Sequence, residues 1–250
     1  MYEINNIAIE IKHHERVVRG CFLEPRNKEN YPVIIFSHGY NGTGEGARRI
    51  AEFMAQRGIG AVYYDFCGGS VNSKSDMDTT MMTLTTEKED LVAVFTEVMS
   101  WDKTDRKKVF LFGDSQGGMV TTLAAGELTG NVAAVILLYP AFCIADNWNE
   151  RFPDDDDIPV EHEFWGMKLG KDFFLGLRNI DPYKVMDKLP EKVLIMHGDK
   201  DAAVPVRYSE KAKAVMPNAV FKIFAGEGHG FSEEGYGQVI QDTYQFVSNA

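Results

Sequence analysis

Apolar positions along this chain recur with two periods, and the switches between them mark out a series of elements. Ile4 to Ile11 largely alternates at period two, and Val17 to Leu23 is a second strand-like run, predicting an antiparallel edge pair. Val33-Ile34-Ile35-Phe36 is apolar without a break, the pattern of a strand buried on both faces. Ile50, Phe53 and Met54 then share one helical face, and Gly58 suits the stop. The same exchange repeats. Ala61 to Tyr64 reads as a strand, and Thr86 with Glu89 as a capping box opening a helix through Leu91, Val94, Phe95 and Val98. Val109 to Phe112 (strand), Met119 to Leu128 (helix) and Val132 to Leu138 (strand) follow. Later come Val193 to Met196, a helix near Tyr208 to Val215, Ala219 to Phe224, and a last helix through Val239, Ile240, Tyr244 and Val247. Strand and helix alternating in this way predict an α/β fold with a mostly parallel central sheet covered on both faces.

Residues 142 to 190 interrupt the series. They are rich in Asp, Phe and Trp, and Phe164 to Leu177 looks helical. An insertion past the C-terminal end of a central strand sits where open α/β sheets hold ligands, so the expectation is a lid within one domain spanning 1–250.

Composition narrows the function classes. The 250 residues carry a formal net charge of -11, which argues against nucleic acid and anionic membranes, since both need clustered Lys and Arg. Part of the acid is local, in Asp154 to Asp157, read as a solvated loop. Cys21, Cys67 and Cys143 have neither metal-like spacing nor an even count, so free thiols in a reducing compartment are expected. Met1 to Asn6 lacks a basic start and apolar stretch, and Val132 to Phe142 is too short to span a bilayer, so a cytoplasmic location is the expectation. No cofactor or metal is called for. The aromatic-rich insertion would suit a homodimer.

The candidate chemistry lies at strand ends. Gly113-Asp114-Ser115-Gln116-Gly117 directly follows the strand Val109 to Phe112 and directly precedes a helix. A Gly-x-Ser-x-Gly string is weak alone, but strand–turn–helix is the context a nucleophile elbow requires. A serine hydroxyl needs a base to take its proton as it attacks. Of the six histidines, His13 and His14 belong to the N-terminal hairpin and should face solvent, His38 to a Gly-rich loop, His162 to the insertion, and His197 to a strand end. His229 stands in Gly228-His229-Gly230-Phe231, a loop after the last strand, and is the base candidate. The acid that orients it comes from His197-Gly198-Asp199-Lys200-Asp201, where both carboxylates are open. A developing oxyanion needs two N–H donors, and these are assigned to Gln116, which follows the serine, and Tyr40, in Ser37-His38-Gly39-Tyr40-Asn41-Gly42.

These pieces, with Asp65-Phe66-Cys67-Gly68-Gly69-Ser70, Ser75-Asp76 and Val204-Pro205, resemble the small bacterial α/β-hydrolase esterases that include the cinnamoyl (feruloyl) esterases, over most of the chain. The resemblance implies an α/β-hydrolase fold and hydrolysis of small-molecule carboxylic esters. It makes Asp201 the acid beside Ser115 and His229, and leaves Asp199 to shape its turn through local backbone hydrogen bonds. It also makes Trp148, Trp165, Phe173 and Phe174 candidates to pack on an acyl group. One departure is Asp114, where those esterases often carry His; it is expected to face away from the reacting oxygen with modest consequences. Prolyl-oligopeptidase-like aminopeptidases share the elbow and the Asp…Val-Pro segment but usually carry a further N-terminal domain, so they rank second. A silent binding module on the same fold ranks behind both.

Overall fold

The computed structural model describes residues 1–250. Its centre is an eight-stranded sheet. The strands are β1 (Ile4–His13), β2 (Arg16–Pro25), β3 (Tyr31–Ser37), β4 (Gly60–Asp65), β5 (Thr104–Asp114), β6 (Ala134–Leu138), β9 (Val193–Gly198) and β10 (Val220–Phe224). They lie in the order β1-β2-β4-β3-β5-β6-β9-β10, and only the pairs β1–β2 and β2–β4 are antiparallel. Consecutive residues of each central strand enter opposite cores. Val33 and Ile35, Val109 and Leu111, and Val135 and Leu137 face one side. Ile34 and Phe36, Phe110 and Phe112, and Ile136 and Leu138 face the other. Helices α2 (Leu84–Ser100), α3 (Gln116–Glu127) and α6 (Arg207–Val215) cover the first side; α1 (Arg48–Ala55) and α7 (Glu233–Ser248) cover the second. That two-sided burial is why these strands read as unbroken apolar runs. No helix is long and apolar enough to cross a membrane.

The element series stands, with local differences. Helix α2 opens at Thr83, whose side chain accepts the Thr86 N–H while Thr86 Oγ1 accepts the Thr83 N–H. The capping box expected at Thr86 with Glu89 is therefore three residues earlier, at Thr83 with Thr86, and Glu89 instead pairs with Arg16. His13 does not face solvent: its Nε2 lies 2.7 Å from the buried Asp90 carboxylate.

Between β6 and β9 the chain forms α4 (Ile144–Arg151), the hairpin β7 (Glu161–Phe164) and β8 (Met167–Gly170), and α5 (Lys171–Leu177). The first half of the expected helix from Phe164 to Leu177 is thus a hairpin. Trp165 and Gly166 turn it with positive φ at both positions (45° and 76°), the signature of a two-residue I′ turn. The alternation of buried Met167 and Leu169 around exposed Lys168 fits a strand and not a helical stripe.

Candidate active site

Parallel strands bring their carboxyl ends to one rim, and the register fixes which loops meet there. Ser37 pairs with Gly113, Gly113 with Leu137, and Leu137 with Ile195. The loops after β3, β5, β9 and β10 therefore converge although they are far apart in sequence.

Ser115 turns sharply out of β5 with φ 50° and ψ -120°, a conformation held from both sides. Its N–H donates to Leu138 O at 3.0 Å, and its carbonyl accepts from Gly118 and Ala141 N–H at 3.0 and 2.9 Å. The turn packs so closely that a Cβ on Gly117 would collide with the backbone oxygen of Ser37, and one on Gly113 with that of Gly117. Only glycine fits at either place.

Three side chains form a hydrogen-bonded chain across this rim. His229 Nδ1 is 2.7 Å from Asp201 Oδ2, and His229 Nε2 is 2.9 Å from Ser115 Oγ. A carboxylate can only accept, so Nδ1 carries the proton and Nε2 offers its lone pair to the serine hydroxyl. Asp201 Oδ1 accepts the N–H groups of Ala203 and Val204 at 3.0 and 2.8 Å. Burial pushes the Asp201 carboxyl up, but hydrogen bonds from His197, His229 and Val204 outweigh it and hold the group well below the usual carboxylate range. Asp199 takes no part. Its Oδ1 accepts Gly226 N–H at 2.7 Å, so it ties the β9 loop to the β10 loop, and the local hydrogen bonds expected of it give way to this longer tie.

His197 is a support that sequence reasoning missed. Fully buried, it donates from Nε2 to Val204 O at 2.8 Å, reaches Asp201 Oδ2 at 3.3 Å, and accepts Ser209 Oγ–H at Nδ1 (2.7 Å). A histidine four residues before the acid was the available signal. His38 is also locked: Nδ1 donates to Gly39 O at 2.8 Å and Nε2 accepts Phe66 N–H at 3.0 Å, and burial lowers its pKa. The N–H groups of Tyr40 and Gln116 donate to no acceptor within the protein, which leaves both free for a substrate oxygen. The Gln116 side chain donates to the buried Glu87 at 2.9 Å.

Two cavities meet at Ser115. One, of about 490 Å³, is bordered by the insertion and lined by Trp148, Phe164, Trp165 and Phe173 together with Ala141, Ile144 and Val204. Phe174, expected beside them, does not reach it. It packs behind the wall, its ring centroid 4.9 Å from Trp148 and 5.2 Å from Phe152. The other cavity, of about 410 Å³, is lined by Gly39, Thr43, Asp114, Tyr139 and Tyr236 among others. Tyr40, Ser115, Trp165 and His229 line both. Asp114 thus lines the second cavity beside Ser115. Its Oδ2 accepts Gly39 N–H at 3.2 Å, and burial pushes its carboxyl up to about 6.

A metal is not favoured at the one cluster of suitable groups. His13, Cys67 and Asp90 come together, but Asp90 Oδ1 already takes His13 Nε2 and the Arg16 guanidinium, and Oδ2 takes Cys67 N–H. A cation already occupies the place a metal would need.

The structure of Est1E from Butyrivibrio proteoclasticus with ferulic acid bound matches with a TM-score of 0.89 at 25% identity, over 96% of this chain and 98% of that one. Uncharacterized peptidase YtmA of Bacillus subtilis (strain 168) is 21% identical over 240 residues, 93% of this chain and 89% of that protein. Non-heme chloroperoxidase CPO-A1 of Kitasatospora aureofaciens is 30% identical over 76 residues, and the chain spans only 28% of its length. The fold is that of the α/β-hydrolases, and the chain is a hydrolase. The profile of the prolyl oligopeptidase family matches residues 47–250, from the end of the loop after β3 to the C-terminus, and the chain belongs to that family.

Proposed function

We propose that the protein hydrolyses carboxylic esters of small or aromatic acyl groups through an acyl-enzyme, with Ser115 as nucleophile, His229 as base and Asp201 as the acid that orients it. The observation that carries this reading is the unbroken hydrogen-bond chain from Ser115 Oγ through His229 to Asp201. As Ser115 Oγ bonds to the ester carbonyl carbon, its proton passes to His229 Nε2, and the carbonyl oxygen takes the negative charge. The free N–H groups of Tyr40 and Gln116 receive that oxyanion. His229 then gives its proton to the leaving alcohol as the C–O bond breaks. A water deprotonated by the same nitrogen releases the acid and restores Ser115.

Residues 142–190 act as a lid within a single hydrolase domain, and Trp148, Trp165 and Phe173 bear on the acyl group. The likeness to Est1E, whose structure holds ferulic acid, supports an aromatic acyl arm of cinnamoyl (feruloyl) type. Membership of the prolyl oligopeptidase family favours a second reading, an aminopeptidase using the same groups.

A fluorophosphonate probe tests the first reading. It should label the protein at Ser115 and leave Ser115→Ala unlabelled, and folded Ser115→Ala should turn over no ester. A hydrolysis panel of p-nitrophenyl esters, methyl ferulate and an amino-acid anilide separates the two activities. Cleavage of the anilide without ester preference establishes the peptidase instead.

A further inference from the structure

The chamber on the Asp114 side of Ser115 is unlike the aromatic one beneath the insertion. It holds one carboxylate, no lysine or arginine, and the rings of Tyr139, Tyr236 and Trp165. Asp114 is fixed by the Gly39 N–H, yet no side-chain donor of the protein reaches it. Neither phenol is engaged by a protein acceptor, and both feel the Asp114 charge. The Arg49 guanidinium stands over the Tyr236 ring, 5.7 Å from its centroid, but is not part of the chamber lining and is bound to Glu233.

A lone carboxylate in a partly desolvated chamber is a charge without a counter-ion, and aromatic faces attract cations through their quadrupoles. From this we propose that the chamber is a leaving-group subsite for an alcohol bearing a quaternary or primary ammonium, held by Asp114 among Tyr139, Tyr236 and Trp165. The assignment rests on the esterase reading above, because an ester presents two arms at Ser115 and the apolar chamber takes the acyl one. A polyol would satisfy the hydroxyl and phenol groups but leave the Asp114 charge uncompensated. Asp114 serves the reaction as well as binding: it offsets the repulsion between a bound ammonium and the imidazolium forming on His229. The net charge of -11 draws cations toward the protein in general.

The test compares a choline ester with its 3,3-dimethylbutyl ester, where carbon replaces nitrogen, and with the glyceryl ester, all of one acyl group. Each is measured on the wild type and on Asp114→Asn, which keeps an oxygen for the Gly39 N–H and removes only charge. Taking the choline-to-dimethylbutyl ratio of kcat/KM cancels intrinsic ester reactivity and any general damage to the variant. The ratio should fall about tenfold in Asp114→Asn. An equal ratio in both proteins overturns the proposal. So does a preference for the glyceryl ester that is lost in the variant, which makes the chamber a polyol site. Should the p-nitrophenyl ester of the same acid be cleaved but the choline ester be refused, the subsite fails while the esterase reading stands. If no ester is cleaved, both fail.

Discussion

The sheet rim and the insertion above it hold their side chains in different ways. At the rim the three reacting side chains are held by directed hydrogen bonds. Asp201 alone takes His229 and the N–H groups of Ala203 and Val204, with His197 braced behind it. The insertion packs around a cluster of rings: Trp148, Phe152, His162, Phe164 and Phe174 meet edge-on or stacked at centroid distances between 4.9 and 6.0 Å. Hydrogen bonds fix atoms in direction, whereas aromatic packing fixes volume and tolerates adjustment. Under the proposed mechanism the rim sets the reaction and the insertion chooses the acyl group.

The largest effect should come from the rim. Asp201→Asn keeps the shape but replaces an acceptor with a group that can donate to His229 Nδ1, favouring the wrong tautomer. The expected loss in kcat is on the order of 10⁴-fold, with a folded protein by circular dichroism. A loss below tenfold would mean that another group orients His229.

The insertion should respond in stability before chemistry. Phe174 is buried and lines neither cavity at Ser115, so Phe174→Ala removes packing alone and should cost ~3–5 kcal/mol in urea unfolding. Phe174→Leu should cost less and serves where the alanine variant is too unstable to handle. In either folded variant, labelling by the fluorophosphonate probe should persist while preference among acyl groups broadens. Loss of labelling in step with stability would show that the two regions are not separable.

The same contrast explains what could be read in the sequence. The rim was legible because its demands are local: Gly113 and Gly117 are there to avoid backbone collisions, and Ser115, Asp201 and His229 each follow a strand whose apolar run is plain. The insertion was not. Phe164 to Leu177 has apolar residues at spacings that suit a helix, and only the left-handed pair Trp165-Gly166 turns the first part into a hairpin. A tryptophan gives little local hint of that conformation, which tertiary contacts impose. Phe173 and Phe174 are adjacent and chemically identical, so which one faces the cavity depends on the rotation of α5 against Trp148. The place of Asp114 in a cavity wall was hidden for a related reason. Its direction follows from the Gly39 N–H across the β3–β5 pair, a contact no one-dimensional pattern contains.

Behind the rim lies an ionisable group that adds a pH dependence of its own. Burial raises the Glu87 carboxyl from its ordinary 4.5 to about 8. Between those values the folded protein holds a proton that the unfolded chain has released, so raising the pH favours unfolding. Stability should fall across that window, with a slope of at most ~1.4 kcal/mol per pH unit, and level off above it. Glu87→Gln keeps an acceptor for Gln116 and cannot titrate, so its unfolding free energy should decline less between pH 5 and pH 8. Parallel curves for the two proteins would place the charge change elsewhere.

The smallest effect probes the seam between the two regions. Tyr40 Oη donates to Phe164 O at 2.8 Å, and Asn41 Nδ2 to Trp165 O at 3.1 Å, so the loop offering the Tyr40 N–H is clasped to the hairpin tip. Tyr40→Phe removes one clasp and no backbone donor. A single such bond contributes ~1 kcal/mol, enough for a several-fold fall in kcat if the clasp aligns the loop for the oxyanion. Asn41→Ala should act in the same direction, and because both clasps restrain one loop, the double variant should lose less than the product of the two. Multiplicative losses would mean that the clasps work independently. No loss in either single variant would mean that the rim holds its oxyanion loop without help from the insertion.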